Sequence, residues 1–416
     1  MKSKLLLCLL ALFAGRLFAA EGAVPSDVPH LDHVFVIVME NHGYNQIVGN
    51  SNAPFANWYM NNVNSATNYF AIGHPSSTNY LEIVGGSNFG VRSDNNPDWH
   101  NATCSPNLAL GTVVTDNPSS PNVCPIAGSG TDAETPLIDH SNECSPAPCN
   151  PGLLDINGTM LLRAAPNTVG KTIADQLAER GMTWKSYQES LPPTGADDVN
   201  FSDGFFTDAS NIPSVLPDQP PTSQSLVKLY AAKHNPFVYF RSVQEGETPG
   251  SSLKNVVGFM GAGGLYEDLE AGTVPAYSLI APNQCNDQHG RGNAGPQCDF
   301  DPIDNGAQAG LNPALIYLGD LTLRNIVNAI HASPAWKSGK STIVVVWDEN
   351  DYSFSPNLNQ VPAIVETNYS SKGVKSANFY THFSLLRTIE GGLGLPCLNH
   401  ACDESARTMS DLFGGK

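Results

Sequence analysis

Carboxylate, amide and imidazole side chains that could bind a metal ion or transfer a proton follow three apolar segments of this chain. They are Glu40 and Asn41 after the run His33–Met39, Asp348 and Glu349 after Ser341–Trp347, and Asp287 and His289 a few residues after Tyr277–Ala281. Apolar runs of this length are typical of strands buried on both faces of a parallel sheet. In α/β proteins, ligands bind at the carboxyl ends of such strands. One acidic residue there could simply cap a turn, but three such ends predict shared chemistry at one edge of a sheet.

The predicted donor set is rich in oxygen. Carboxylate, amide and hydroxyl oxygens suit Ca²⁺, Mg²⁺ or Mn²⁺, and neighbouring histidines would shift the choice toward Zn²⁺. The net charge of −18 gives a separate argument for a cation. Such a charge repels nucleic acid and anionic membranes at long range, and an anionic substrate would need a local cation to overcome it. We therefore expect a divalent metal ion and no nucleic-acid partner.

Ser76 lies between a short predicted strand that starts at Tyr69 and a helix predicted from near Ser77 to Gly85. A serine in this position commonly caps the helix through its side chain. It could instead be a nucleophile, because the backbone N–H groups at a helix N-terminus bind phosphate. A serine hydroxyl needs a base or a metal to lower its pKa before it attacks. The sequence leaves both Ser76 and Ser77 open as the nucleophile.

Helical and strand-like segments alternate along the chain. The predicted helices cover residues 53–63, 77–85, 172–180, 225–232, 265–269, 320–332 and 380–389, and the predicted strands include 33–39, 183–187, 277–281, 341–347 and a segment at 234–240 that starts as a loop. Strands that alternate with helices are typical of a doubly wound sheet. We therefore expect one α/β domain over residues 23–416, with a mostly parallel sheet covered by helices on both faces.

Residues 1–22 have the pattern of a secretory signal peptide. Lys2 and Lys4 precede an apolar core at residues 5–14, and small residues follow at Ala19 and Ala20. The apolar core is too short to span a bilayer, which favours a cleaved signal over a retained membrane anchor. The mature protein is therefore expected to be secreted or periplasmic, with no stable membrane anchor.

The chain has nine cysteines, and eight are left once Cys8 is removed with the signal peptide. An even number of cysteines in an exported chain predicts disulfides. The pairs Cys285–Cys298 and Cys397–Cys402 are spaced to close small local loops, and the other four, Cys104, Cys124, Cys144 and Cys149, are expected to pair among themselves. These four lie in a segment at 88–166 that is rich in turn-forming residues, which predicts a disulfide-tied, loop-rich insertion. A cysteine zinc site is the alternative, but no C-x-x-C pair supports it.

Several stretches together resemble the bacterial and fungal phosphoesterase family, which includes acid phosphatases and the non-haemolytic type of phospholipase C and belongs to the alkaline-phosphatase-like superfamily. The stretches are Val-Met-Glu-Asn-His at 38–42 with Tyr44, His-Pro-Ser-Ser-Thr-Asn-Tyr-Leu at 74–81, His-Asn-Pro-Phe at 234–237, Pro-Asn at 282–283 with Asp287 and His289, Gly-Asp at 319–320, Trp-Asp-Glu at 347–349, and Thr-His-Phe-Ser-Leu-Leu-Arg-Thr at 381–388. Each stretch is short, but their joint order from about residue 33 to 390 is specific. The resemblance implies an alkaline-phosphatase-like fold.

The resemblance also implies roles for particular residues. It places a divalent metal among Glu40, Asn41, Ser76, Asp348 and Glu349, and it makes Ser76 the nucleophile by position, although this chain has Thr78 where the family pattern has proline. It assigns His289 and His382 to a second metal or to acid–base work, and it assigns His74, Asn79 and His234 to contact with the phosphate.

The function expected from this resemblance is that of a secreted phosphoric-ester hydrolase. A phosphomonoesterase of the acid phosphatase type, acting through a phosphoserine intermediate, is favoured because phospholipase C members of the family are usually longer. A phosphodiesterase of the phospholipase C type is the first alternative, and a non-catalytic binding protein on the same fold is the second. A sulfatase is not expected, because the chain has no Cys-x-Pro-x-Arg stretch.

Overall fold

A computed structural model of the chain describes residues 21–89, 91, 169–191 and 229–415, apart from 245, 247, 293, 304 and 352–358. The predicted signal peptide falls almost entirely outside the described residues. So do nearly all of the predicted insertion at 88–166, its four cysteines, and the first half of the helix predicted at 225–232.

The core of the molecule is an eight-stranded sheet. Its strands, with those of a second, two-stranded sheet, are β1 (His33–Met39), β2 (Asn64–Ala66), β3 (Tyr69–Phe70), β4 (Trp184–Gln188), β5 (Val256–Val257), β6 (Tyr277–Ala281), β7 (Ser341–Trp347), β8 (Ala363–Thr367), β9 (Lys375–Ser376) and β10 (Tyr380–Thr381). The large sheet has the order β5-β4-β6-β1-β7-β8-β2-β9, and β10 pairs with β3 in the small one. Only β8 runs antiparallel to its neighbours.

Strand β1 occupies a central position between β6 and β7, with parallel pairing on both sides. All its residues from Val34 to Met39 are fully buried. Burial on both faces explains why this strand is a continuous run of apolar residues instead of an alternating pattern. The strands predicted at 33–39, 277–281 and 341–347 are confirmed with their predicted bounds.

Two groups of helices make contacts among their own members. The helices are α1 (Tyr44–Ile47), α2 (Pro54–Asn62), α3 (Ser76–Gly85), α4 (Ile173–Glu179), α5 (Arg241–Gln244), α6 (Leu265–Ala271), α7 (Pro313–Ala332), α8 (Pro334–Lys337) and α9 (His382–Leu393). Helix α7 contacts α2, α6 and α8, α6 also contacts α8, and α3 contacts both α4 and α9. The predicted fold class, an α/β protein with a mostly parallel sheet and packed helices, is confirmed.

The segment at 234–240 differs from its prediction. Instead of a loop entering a strand, it forms 3₁₀ turns at Ala232–His234 and Pro236–Tyr239 that pack against α3. Pro236 opens the second turn, and proline suits the first position of a helical turn because it needs no N–H partner there. The apolar residues that suggested a strand are buried instead against helices.

Two long helices begin at other residues than predicted. Helix α7 starts at Pro313 because the Asn312 side chain accepts hydrogen bonds from Ala314 N and Leu315 N, which makes Asn312 the N-cap. Helix α9 starts at His382 instead of residue 380, since Tyr380 and Thr381 pair with β3.

Cys285 is bonded to Cys298, and Cys397 is bonded to Cys402. Both predicted local disulfides are therefore confirmed. Within the part of the chain that the structure describes, no helix is long and apolar enough to cross a membrane.

Three side chains donate hydrogen bonds to the carboxylate of Glu366 in β8, and these contacts give a first testable prediction. Tyr59 OH and His331 Nε2 each lie 2.7 Å from its Oε2, and Lys372 Nζ contacts its Oε1. Burial acts to raise the pKa of Glu366, but the hydrogen bonds from these three donors outweigh it and lower the pKa to about 2. We expect Glu366→Gln to lower the free energy of unfolding by about 1.5–3 kcal/mol, the usual contribution of hydrogen bonds to a charged group.

The pH dependence of this contribution has a defined sign. The pKa of Glu366 is lower in the folded protein than its ordinary value of 4.5. The stabilisation is therefore complete above that ordinary value and is lost as the pH falls toward the folded value. Urea unfolding of both proteins should show a smaller difference near pH 2.5 than near pH 6. An equal difference at both pH values would contradict the assignment.

Candidate active site

The ends of β1 and β7 lie side by side because of their register. Met39 pairs with Trp347, so Glu40 and Asp348 are the next residues on two neighbouring parallel strands. Asp348 N donates to Met39 O at 2.9 Å. Asn41 adopts a φ of 58°, and its backbone N–H donates to Asp348 Oδ1 at 2.9 Å. Glu40 and Asp348 are both fully buried, so the backbone holds two carboxylates at one buried sheet edge.

The loop after β6 brings Asp287 to the same edge. Its carbonyl oxygen accepts a hydrogen bond from Glu40 N at 2.8 Å. The next residue, Gln288, accepts a hydrogen bond at its Oε1 from Trp347 Nε1 at 2.8 Å. A Cβ at Gly319 of α7 would lie 2.3 Å from Gln288 Cγ, so glycine is needed there for this side chain to pass. The loop is therefore fixed to a strand and a helix at once.

Ser76 is the first residue of α3, and its hydroxyl lies between two carboxylates. Ser76 Oγ is 3.2 Å from Glu40 Oε2 and 3.0 Å from Glu349 Oε1. A hydroxyl has one proton and can donate it to only one acceptor at a time. The other oxygen–oxygen contact is unfavourable unless a cation or a second proton lies between the atoms. This arrangement is what a serine beside a bound cation requires.

Asn79 connects the turn before α3 to Glu349. Its Oδ1 accepts hydrogen bonds from Ile72 N at 3.1 Å and Gly73 N at 3.0 Å. Its Nδ2 donates to Gly73 O at 2.8 Å and to Glu349 Oε2 at 3.2 Å. His74 Nδ1 also lies 2.9 Å from Glu349 Oε2. Because the amide group of Asn79 is used within the protein, the geometry favours a positioning role over the predicted contact with phosphate.

His234 lies on the other side of Glu40 from Ser76. Its Nε2 is 3.4 Å from Glu40 Oε1, and its Nδ1 is 3.2 Å from Asp287 Oδ2. The ring of Tyr80 stacks on His234 with a centroid distance of 5.4 Å and an interplanar angle of 8°. Burial first, and then the nearby Lys233, lowers the pKa of His234 well below its ordinary value.

His289 is held in place through its backbone and both ring nitrogens. Its N–H donates to Asp287 Oδ1 at 2.7 Å. Its Nδ1 lies 2.9 Å from Gly290 O, and its Nε2 lies 3.1 Å from Lys233 Nζ. A neutral ring that donates from Nδ1 to the carbonyl can accept from the lysine at Nε2. His289 and Lys233 are therefore paired beside the carboxylates.

His382, at the start of α9, contacts the turn at Asp348 and the side chain of Tyr69. Its Nε2 lies 2.7 Å from the backbone oxygen of Asp348, and its Nδ1 lies 2.9 Å from Tyr69 OH. Burial lowers the pKa of His382 to about 4, so the ring is neutral at most pH values. Both ring nitrogens are used within the protein. This geometry does not fit the predicted role in acid–base work or in a second metal site, and it indicates that His382 orients the turn at Asp348.

Burial raises the pKa of three carboxyl groups in the site. Burial raises the pKa of Glu40 well above its ordinary value, and the charges of Asp348 and Asp287 add to this effect. Burial likewise raises the pKa of Asp287 well above its ordinary value and raises that of Asp348 to about 8, with a contribution from Glu349. A divalent cation reverses such shifts because it favours the charged form of each group.

The residues present fit a divalent metal. Oδ2 of Asp348 is buried and accepts no well-aligned hydrogen bond from any residue the structure describes. On the Ser76 side the donors are carboxylate and hydroxyl oxygens, as Ca²⁺, Mg²⁺ and Mn²⁺ prefer. On the other side, ligand atoms of Glu40, His234 and His289 lie within 4.8 Å of one another and could hold an ion. Asn41, which was also predicted as a metal ligand, contacts Asp348 through its backbone N–H.

The structure places every residue predicted for the site at one end of the sheet, close to Glu40, Asp348 or Glu349. Sequence reasoning placed Asp287 among the polar residues after β6 without giving it a role of its own, and it did not assign Tyr80 or Lys233 to the site. Asp287 had a usable signal, since it precedes His289 in the polar run after β6. Tyr80 and Lys233 are adjacent in sequence to predicted residues, but their types alone gave no reason to choose them.

The fold and the site together define an α/β protein with a serine held between buried carboxylates. The model of the Phosphoesterase family matches residues 50–298 and 303–396 of the chain. The chain belongs to the Phosphoesterase family, and it is a hydrolase of phosphoric esters. The family resemblance inferred from the sequence is thereby confirmed.

Curated relatives are similar to this chain at low identity. A phosphatidylinositol-3-phosphatase of Mycobacterium tuberculosis is 24% identical over 98% of this chain and 94% of its own length. An acid phosphatase of Aspergillus fumigatus is 22% identical over 92% of this chain and 61% of its own length. The chain therefore spans nearly all of the mycobacterial protein and about three fifths of the fungal one.

Solved structures show a distant likeness. A protein in the alkaline phosphatase superfamily from Vibrio parahaemolyticus has a TM-score of 0.45 and 11% identity, over 90% of this chain and 69% of that chain. A phosphonate monoester hydrolase of Agrobacterium radiobacter has a TM-score of 0.42 and 12% identity, over 92% of this chain and 78% of that chain.

Proposed function

We propose that the protein is an exported phosphomonoesterase of the acid phosphatase type that acts through a phosphoserine at Ser76. The observation that carries the proposal is the position of Ser76 Oγ, at the N-terminus of α3 and within 3.2 Å of both Glu40 and Glu349. Both relatives described above are named as phosphatases. The two disulfides support export, because such bonds persist in oxidising compartments.

The proposed reaction follows from these contacts. Ser76 Oγ attacks phosphorus, a carboxylate oxygen of Glu349 or Glu40 accepts the hydroxyl proton, and the bond from phosphorus to the ester oxygen breaks. Backbone N–H groups at the start of α3 face the phosphoryl oxygens. His74 is proposed to contact the phosphate, and the proton that the carboxylate takes from Ser76 passes to the leaving oxygen, beside which His234 and His289 are proposed to lie. Water then attacks the phosphorus of the phosphoserine and gives a proton to the same carboxylate. The bond from phosphorus to Ser76 Oγ breaks, that proton returns to Oγ, and phosphate is released.

A divalent metal held by Glu40, Asn41, Ser76, Asp348 and Glu349 would lower the pKa of the Ser76 hydroxyl and offset charge on the phosphoryl oxygens. Ca²⁺, Mg²⁺, Mn²⁺ and Zn²⁺ all suit donors of this kind, so metal analysis of the purified protein decides among them.

A substrate comparison tests the proposed activity. We expect purified protein to hydrolyse p-nitrophenyl phosphate. It should hydrolyse the diester bis(p-nitrophenyl) phosphate at least about 100-fold more slowly, which corresponds to a difference of a few kcal/mol between the two activation free energies. Phosphatidylinositol 3-phosphate in vesicles extends the comparison to a lipid monoester. Faster turnover of the diester would replace the proposal with a phosphodiesterase. No turnover of any ester would favour a binding protein.

A variant of His382 tests its positioning role. We expect His382→Asn to lower kcat by about 10- to 100-fold with little change in KM, since a small displacement of catalytic groups costs about that much. Tyr69→Phe, which removes only the hydroxyl that supports the ring, should cause a smaller loss of kcat. An unchanged kcat in His382→Asn would show that the turn at Asp348 does not need this hydrogen bond.

A further inference from the structure

Lys233 places a positive charge beside the ligand atoms of Glu40, His234 and His289. It precedes His234 in the 3₁₀ turn Ala232–His234, and its side chain is half-buried. Its Nζ lies 3.1 Å from His289 Nε2. His289 in turn belongs to the group of ligand atoms, with Glu40 and His234, that lie within 4.8 Å of one another.

The charge of Lys233 is felt by the carboxylates of the site. It acts to lower the pKa of Glu40 and of Asp287, against the larger effect of burial. It also helps to lower the pKa of His234. Three separate groups around Glu40 therefore sense this one ammonium. Because the whole chain carries a net charge of −18, a cation close to Glu40 matters for any anionic substrate.

We propose that Lys233 is the residue that makes the site select phosphomonoesters over phosphodiesters, by pairing with the second negative charge of the phosphate group. This proposal rests on the proposed function and names its substrate class. A monoester carries two negative charges above about pH 6 and a diester only one. A nearby ammonium therefore favours the monoester, because the attraction grows with the charge of the ligand. The ammonium can turn from His289 to the phosphate without a change in the backbone, since lysine has a flexible stem.

The activity test compares Lys233→Met with wild type on both kinds of ester. We expect kcat/KM for p-nitrophenyl phosphate near pH 8 to fall by about 30-fold or more, the effect of removing one partner of a buried charge pair. The value for bis(p-nitrophenyl) phosphate should fall by much less. Lys233→Arg should restore part of the monoester activity, and Lys254→Met, which removes an exposed lysine, should change neither substrate. Equal losses on both substrates would overturn the proposal.

A binding test gives a readout that does not depend on turnover. Inorganic phosphate, a dianion near pH 8, should bind Lys233→Met more weakly by about 10-fold or more, whereas binding of dimethyl phosphate, a monoanion, should weaken by about 3-fold, because it has half the charge. Bound metal, measured on the same samples, should be the same in both. A loss of metal in Lys233→Met would mean that the lysine acts through the metal site, and that outcome would overturn the proposal.

The dependence on pH separates this role from a structural one. Below about pH 5 the monoester is mostly a monoanion, so the difference between wild type and Lys233→Met should shrink for p-nitrophenyl phosphate. A loss that is the same at low and high pH would contradict charge selection. Failure of the phosphatase proposal itself would appear differently, as diester turnover by wild type that exceeds monoester turnover.

Discussion

Ser76→Ala is expected to lower kcat for p-nitrophenyl phosphate by about 10⁴-fold or more, because removal of a nucleophile leaves only binding and electrostatic contributions. The physical reason lies in the contacts of Ser76 Oγ with Glu40 and Glu349. The variant should fold, since alanine fills less space and suits the first turn of α3.

Ser77→Ala is the matched control, because it removes the same atom from the next residue of the same helix turn. Ser77 is fully buried, and we expect the variant to keep its turnover within about 10-fold of wild type, since loss of a hydroxyl that does not attack phosphorus removes only a hydrogen bond. Acid quenching of wild type with a ³²P-labelled ester should trap label on the peptide that contains Ser76. Full activity in Ser76→Ala, or label on Ser77, would overturn the assignment of the nucleophile.

Asp348→Asn is expected to remove most of the bound metal and to lower kcat/KM by about 10³-fold, because a metal site loses both a ligand and a charge. Asp348 is fully buried, and burial raises its pKa to about 8. That pKa indicates a carboxyl group with too little positive charge around it, which a metal would supply. The measurement is metal content by elemental analysis together with kinetics. Chelation of wild type should give the same loss of activity, and return of the metal should restore it.

Glu366→Gln is the control for this experiment, since it makes the same kind of change on β8, outside the site. It should lower the stability as described above and leave metal content and kcat/KM unchanged. Normal metal content in Asp348→Asn would place the ion elsewhere. The group of Glu40, His234 and His289 would then be the site to test, because its ligand atoms also lie within 4.8 Å of one another.

The sequence by itself determined the central strands and the position of the chemistry. Strands β1, β6 and β7 were predicted with their observed bounds, because residues buried on both faces must be apolar throughout, and that pattern is visible without a structure. The polar residues after them follow from the same argument, since parallel strands end at one edge. The spacing of Cys285 and Cys298 suited a small local loop, but the sequence left the pairing of the cysteines open, and the structure decided it.

The segment at 234–240 shows where local pattern failed. Its apolar residues fit a strand as well as a buried 3₁₀ turn, and only packing against α3 decided between the two. Short apolar runs carry no period long enough to separate such alternatives. The start of α9 failed for a related reason, since the pairing of Tyr380 and Thr381 with β3 joins residues more than three hundred positions apart.

The tertiary structure alone decided which partners each site residue has. His382 and Asn79 have the residue types of catalytic groups, but their polar atoms are used within the protein. Lys233 has no motif of its own and reaches His289 across 56 positions of the chain. A side chain's chemistry depends on the atoms within about 3 Å of it, and these come from distant segments whose approach is set by sheet order and helix packing. Sequence therefore indicated where the candidate site would lie, and the fold decided which partners each of its groups has.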